Sequence, residues 1–359
     1  MRFHPSKTVT LTGLLDQLHH APRPRVPELH CPLEPGAHDA AEAIHSRSVA
    51  WARAVGLAPT SAAEARLRAS KIGWLVARAY PRGDAAMVQI AADWATVFCL
   101  LDDRLERLPS PAAVAGYLAE LASVLRTSGD PSPRGADGEA EQDPVKRACA
   151  DLRVRLSRAA PRDWHVRFDA RIAELFRAFV LEAEVRAAGG IPALDVYVPM
   201  REVTVGIHVE TEIGELACGI EIDEPTRGRR DLAALRRMAS NIVGWANDLF
   251  TFEKELRQGE STNLVMVLAA AEGLDLTDAV ARAAERHDDE VRSFIALGAD
   301  ILASDTNEGV KKLVAMTRAW VRGHLDWAHE TGRYDPVHAP HAARESAHSL
   351  PRAVVVDAM

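Results

Sequence analysis

The stretch Asn241-Ile-Val-Gly-Trp-Ala-Asn247-Asp-Leu-Phe-Thr251-Phe-Glu-Lys254-Glu255 decides how the rest of the chain is read. It has no Pro and a single Gly. Its apolar residues Ile242, Val243, Ala246, Leu249 and Phe250 recur at helical spacing, which predicts a helix. Asn247, Thr251 and Glu255 stand at i, i+4 and i+8. Each step of four turns about 400°, so the three drift by only about 80° and share one face. That face carries an amide oxygen, a hydroxyl and a carboxylate beside apolar neighbours, which points it inward. These are hard oxygen donors of the kind Mg²⁺ takes when it bridges a protein to a phosphate. A polar helix face in water carries the same residue types, so this stretch needs support from elsewhere.

Support comes from a second helix, expected over 84–107. An almost uncharged run ends there in Leu101-Asp102-Asp103-Arg104-Leu105-Glu106. Asp102 and Glu106 share a face at i and i+4, with Asp103 about 100° around the axis. Like charges so placed repel by a few tenths of a kcal/mol. They also lie near a helix C-terminus, where the dipole disfavours them. Bound cations relieve both penalties; an acidic helix end in water is the plainer alternative.

The totals narrow the class. The 359 residues suffice for one large domain or two ordinary ones. A hydrophobic share of 47% with 26% charged residues describes a water-soluble globular chain. A net charge of −8 gives no footprint for nucleic acid. Cys31, Cys99, Cys149 and Cys218 are scattered without a CxxC pair, which reads as reduced thiols in a cytoplasm. Met1-Arg-Phe-His-Pro-Ser-Lys leads into no apolar core, so a signal peptide is not expected. With no 18-residue apolar run apparent, no membrane insertion is expected either.

Along the chain, Pro22, Pro24, Pro27, Pro32 and Pro35 make residues 1–39 an extended surface arm. Helical texture then runs through Trp51, Leu67 and Trp74 to Tyr80, where Pro81 and Gly83 break it. Residues 127–144 are polar and low in complexity, and read as a flexible loop within one domain. Further helices are expected over 145–159, 161–188, 193–220, 230–258, 261–272, 276–297 and 305–331, followed by a loose tail over 336–359. The only β-leaning patches are Tyr197-Val198 and Val203-Thr204-Val205, so the fold class is all-α. Within 193–220, Arg201 is followed by Gly206, which marks a break or a close approach. Near the end, Gly332 stops a helix before Arg333-Tyr334, a guanidinium fork and a phenol suited to gripping phosphate.

Taken together, these motifs resemble the bacterial class I terpene synthases (terpene cyclases). Asp102-Asp103-Arg104-Leu105-Glu106 matches the family's aspartate-rich motif. Asn247, Asp248, Thr251 and Glu255 match its second metal motif, and Lys254 matches the Lys before that motif's last Glu. Arg201 stands where the family's diphosphate-sensing Arg stands, and Arg333-Tyr334 matches its C-terminal pair. Trp320, Trp51 and Tyr80-Pro81 fall where members carry similar residues, so the resemblance covers about 40–335 in order. One departure is that the usual linker and effector positions hold Thr204 and Val205, with Gly206 one further.

The resemblance implies a single-domain helical bundle around a central cavity. It implies three Mg²⁺ ions per site, held by Asp102, Asp103 and Glu106 and by Asn247, Thr251 and Glu255. Arg201, Lys254, Arg333 and Tyr334 would bind the diphosphate of an isoprenyl substrate. Trp94, Phe98, Cys99, Val205, Gly206 and Trp320 would line the carbocation pocket, with Cys99 where many members have a ring. A C15 substrate, farnesyl diphosphate, is expected, with C20 geranylgeranyl diphosphate and a C10 chain as alternatives. Members are monomers or homodimers. A chain-elongating prenyltransferase would need a second aspartate-rich motif in place of the Asn/Thr/Glu set. A non-catalytic diphosphate-binding helical protein is the remaining alternative.

Overall fold

The computed structural model describes residues 9–126 and 143–334. The expected loop over 127–144, all but its last two residues, and the expected tail lie outside these residues. The described residues form fifteen α-helices and no strand. They run α1 Leu11–His20, α2 Ala41–Ala54, α3 Ser61–Ser70, α4 Ile72–Ala79, α5 Ala85–Leu105, α6 Pro111–Arg126, α7 Pro144–Ala159 and α8 Arg162–Ala188. They continue with α9 Leu194–Thr204, α10 Ile207–Ala217, the single turn α11 Glu224–Arg227, α12 Arg230–Gln258, α13 Leu264–Glu272, α14 Leu276–Ser304 and α15 Glu308–Ala328. A 3₁₀ turn, Gly332–Tyr334, closes the described chain.

Local chemistry sets most boundaries. Asp84 accepts from the amides of Ala86 and Met87 and so opens α5. Asn263, Asp275 and Asn307 cap α13, α14 and α15 in the same way. Gly259 and Gly273 end α12 and α13 in the left-handed conformation.

Four expectations are corrected. The N-terminal arm is not wholly extended: Thr10 caps α1, whose Leu14 and Leu18 are buried against the α12–α14 side of the core. Pro-rich spacing described 21–40 well, but Leu11, Leu14, Leu15 and Leu18 form a helical stripe that tertiary packing stabilises. The expected helix over 193–220 is two helices, parted at Val205-Gly206. The β-leaning patches Tyr197-Val198 and Val203-Thr204 lie inside α9, with Val205 as its C-cap, where helical context overrides residue preference. Finally, α5 is long and apolar enough to cross a membrane, the only such helix among the described residues. It serves here as the bundle's central helix, packed by α2, α4, α7 and α10.

Two faces of the interior matter for the site. Around α5, the indole of Trp164 stacks on Phe168 at 4.8 Å, and Trp94 meets Phe168 edge-on at 5.4 Å. Around α12, the inward face packs on α9, α14 and α15. Removing the buried side chain of α1 in a Leu14→Ala variant should lower stability by about 2–5 kcal/mol, measured by denaturant unfolding. A change under about 0.5 kcal/mol would mean that α1 does not belong to the core.

Candidate active site

The cavity opens where the ends of α5, α12 and the Gly332–Tyr334 turn come together. Its walls include Phe98, Cys99, Asp102, Asp103 and Glu106 from α5 and its C-cap, and Asn247, Thr251, Lys254 and Glu255 from α12. Arg201, Thr204 and Val205 come from the end of α9, Ile207 and Glu210 from α10, Trp320, His324 and Trp327 from α15, and Arg333 and Tyr334 from the final turn. The two oxygen-donor sets, more than 140 positions apart in sequence, therefore share one cavity.

Two of the expected pocket residues are placed elsewhere. Trp94 does not line the cavity; its ring is taken up by Phe168. At i−8 from Asp102 it has rotated about 80° off the Asp102 face, whereas Phe98 at i−4 has rotated about 40°. Gly206 also lies behind the wall. Its φ of +82° suits only glycine, and a Cβ there would stand 2.6 Å from the Phe98 ring. It serves the cavity indirectly, by letting Phe98 sit close over the α9–α10 break.

Arg201 is locked in place. Its guanidinium donates to Asp248 through Nε at 3.0 Å and to the Asn247 amide oxygen through a terminal nitrogen at 2.7 Å. Asp248 is buried and also accepts from the Tyr197 hydroxyl and the Leu264 amide. Burial opposes the Arg201 charge most, but the acidic neighbours, Asp248 first among them, together outweigh it and raise the guanidinium pKa. Asn247 in turn donates to the Tyr334 hydroxyl at 2.7 Å. Arg333 forks onto Asp103 at 2.8 and 3.2 Å and donates to the Cys99 carbonyl at 3.3 Å. Thr251 donates to the Asn247 carbonyl at 2.9 Å, which leaves its oxygen lone pairs for another partner.

The carboxylates lack enough positive charge. Burial, then Asp103, raises the pKa of Asp102. Burial, then Asp248, raises that of Glu255, although Asn263 donates to it. Desolvation, then Asp102, pushes Glu106 up to about 8; its exposure at the cavity mouth lets water screen part of that shift. Among the described residues, no three His, Cys, Asp or Glu side chains converge as a closed metal cage. What is present is a set of under-compensated oxygen donors on two walls, with basic groups beside them. That donor set fits divalent cations shared with an incoming polyanion.

Some of the site was not anticipated. Tyr197 is i−4 from Arg201, a spacing visible in the sequence, but its role depends on Asp248. Asn263 donates to the Asp248 carbonyl at 2.9 Å and to Glu255 at 2.8 Å while capping α13. Glu210, His324 and Trp327 are single residues on apolar helix faces, with no local pattern to mark them.

Residues 93–293 match the model for "Terpene synthase family 2, C-terminal metal binding". The chain is 30% identical over 300 residues to (+)-T-muurolol synthase ((2E,6E)-farnesyl diphosphate cyclizing) of Roseiflexus castenholzii, covering 83% of this chain and 90% of that one. It is 30% identical over 341 residues to bonnadiene synthase of Allokutzneria albata, covering 91% and 90%. Among solved structures, a cucumene synthase variant superposes with a TM-score of 0.71 at 26% identity, covering 85% of this chain and 99% of that one. The chain belongs to the bacterial class I terpene synthase family.

Proposed function

We propose that the protein is a sesquiterpene cyclase, a lyase that ionises farnesyl diphosphate and closes the resulting carbocation into a ring. One observation carries this reading: the Asp102/Asp103/Glu106 and Asn247/Thr251/Glu255 sets line the same cavity as Arg201, Lys254, Arg333 and Tyr334. The name of the T-muurolol synthase relative supports the C15 chain. The catalytic unit is assigned to residues 40–335.

Asp102, Asp103 and Glu106 on one wall and Asn247, Thr251 and Glu255 on the other would hold three Mg²⁺ ions. Bound there, such cations neutralise diphosphate and stabilise charge on the leaving oxygen. Arg201 is aimed by Asp248 and needs no reorganisation to donate to a diphosphate oxygen. Arg333 is held at the mouth by Asp103, so an arriving diphosphate competes for a guanidinium already positioned. Lys254 and the Tyr334 hydroxyl complete the donors. The diphosphate donors are thus gathered together, and the rest of the lining is mostly apolar, with Thr204, Glu210 and His324 as its polar side chains.

In the apolar part, Phe98 and Trp320 present ring faces that can stabilise a cation by roughly 2 kcal/mol when water is absent. Trp320 is fixed by its Nε1–H donating to the Tyr80 hydroxyl at 3.0 Å. The Val205 carbonyl lies at the α9–α10 break. Val205, Ile207, Val243 and Leu75 exclude water from the hydrocarbon.

Purified protein given Mg²⁺ and, separately, C10, C15 and C20 diphosphates should form a cyclic terpene from the C15 substrate, detected by GC-MS. Asn247→Ala should cut turnover at least about 100-fold, or roughly 2.7 kcal/mol. Product from the C20 substrate alone would reassign the chain length. Elongated diphosphates made only with added isopentenyl diphosphate would make the protein a prenyltransferase.

The raised carboxyl pKa values also set a pH dependence. Acids whose pKa is raised by folding stabilise the fold below their unfolded values. That contribution is lost as pH rises through the folded ones, here between about 4 and 8. Metal competes with those protons. The rise in melting temperature caused by Mg²⁺ with inorganic diphosphate should therefore grow from pH 5.5 to pH 8. A shift that shrinks over this range would contradict the assigned ligands.

A further inference from the structure

Glu210 takes no part in the metal or diphosphate sites described above. It lies in the first turn of α10, four residues after Gly206, and lines the cavity. It is 4% exposed, and neither carboxyl oxygen has a hydrogen-bond partner. Its helix neighbours behave differently: Glu215 binds Arg227 and Arg236 at 2.7 and 2.9 Å, and Glu212 pairs with Arg167 at 3.4 Å. A structural acid is normally satisfied in that way, because a buried polar group without a partner costs a few kcal/mol. Glu210 is unsatisfied, with both carboxyl oxygens buried in the wall of the cavity.

Its backbone, by contrast, is firmly held. The Glu210 carbonyl accepts from the Tyr80 hydroxyl at 2.6 Å, and that hydroxyl accepts from Trp320. The Glu210 amide donates to the Gly206 carbonyl at 3.2 Å. Tyr80 is itself wedged in place, since a Cβ on Gly214 would come within 2.4 Å of its ring. The Glu210 backbone is thus tied through Tyr80 to Trp320, another residue that lines the cavity. Burial alone, with no basic neighbour acting on it, raises its pKa well above the usual carboxyl value and favours the protonated acid.

We propose that the Glu210 carboxyl group is an internal proton donor and acceptor of the cyclisation. This rests on the terpene cyclase reading. A first cyclised cation loses a proton from the carbon beside its charge. The C–H pair becomes a C=C bond and the proton passes to a diphosphate oxygen. The neutral olefin then takes the Glu210 proton: the O–H bond breaks, the π pair forms a new C–H bond, and a second cation results. The Glu210 carboxylate and that cation attract strongly in the dry cavity, which offsets the charge separation. Finally the second cation loses an adjacent proton to the carboxylate, forming the product double bond and restoring the acid. The net products are an isomeric cyclic olefin and protonated diphosphate.

The test uses full-length protein equilibrated in D₂O, with Mg²⁺ and farnesyl diphosphate, and GC-MS after back-exchange in H₂O. The native product should carry one carbon-bound deuterium. Glu210→Gln should release diphosphate yet yield a different olefin without deuterium. Glu210→Asp keeps the acid at a shorter reach and should give both products, and it carries the test if the glutamine variant fails to show a native melting transition. A native product without deuterium would overturn the proposal, as would deuterium retained in the Glu210→Gln product. No product from the native protein with any of the three diphosphates would instead overturn the cyclase reading on which the proposal rests.

Discussion

The site depends on one buried charge pair, Asp248 with Arg201. Asp248 is almost wholly removed from water, and alone it would be costly in the interior. It is held by three donors from three directions: Arg201 and Tyr197 on α9 and the Leu264 amide at the start of α13. Breaking such a pair would strand a charge, at a penalty of roughly 3–5 kcal/mol. The pair therefore fixes how α9, α12 and α13 sit together, and with them the direction in which Arg201 points.

From that anchor the polar order extends outward. Arg201 reaches the amide oxygen of Asn247, and Asn247 reaches Tyr334. Asn263 ties Glu255 to the same helix junction. Tyr334 also stacks on Phe250 with ring centroids 6.2 Å apart, which seats the final turn against α12. A residue 87 positions further along is thereby placed beside the Asn247, Thr251 and Glu255 set. Preorganisation of this kind costs nothing at the moment of reaction, because the donors are already oriented.

The apolar half of the cavity depends on a different constraint, the break between α9 and α10. A continuous helix would carry a side chain into Phe98 and would turn Glu210 to another heading. Gly206, at positive φ, removes both problems. It also joins the two halves of the site, with Arg201 just before the break and Glu210 just after it. The polar end and the hydrocarbon end thus meet within ten residues of chain.

Much of this was legible in the sequence, because the signal was local. Asn247, Thr251 and Glu255 share a face by helical geometry alone, and Asp102 with Glu106 do the same. The break at Gly206 follows from glycine's freedom in backbone angle, whereas the stop expected at Gly332 falls earlier, at Ala328, and Gly332 opens the final 3₁₀ turn without a positive φ. The all-α class followed from periodicity. The sequence could not say which neighbours compete for a side chain. Trp94 was expected in the pocket but packs on Phe168, because eight helical positions accumulate too much rotation. The N-terminal arm was expected to be extended, but α1 folds onto the core, because its short leucine stripe gains stability only from distant helices.

Asp248, Tyr197 and Glu210 show where the division lies. The sequence by itself determined the all-α class, most of the helices and the two donor sets, each written in spacing along one element, and its motifs together carried the family resemblance. Only the tertiary structure decided that Asp248 anchors Arg201, that Asp103 holds Arg333, and that Glu210 sits in the cavity wall without a partner. Those facts depend on what crosses from another helix, and the energy of a buried charge or acid is set by the partners it meets there.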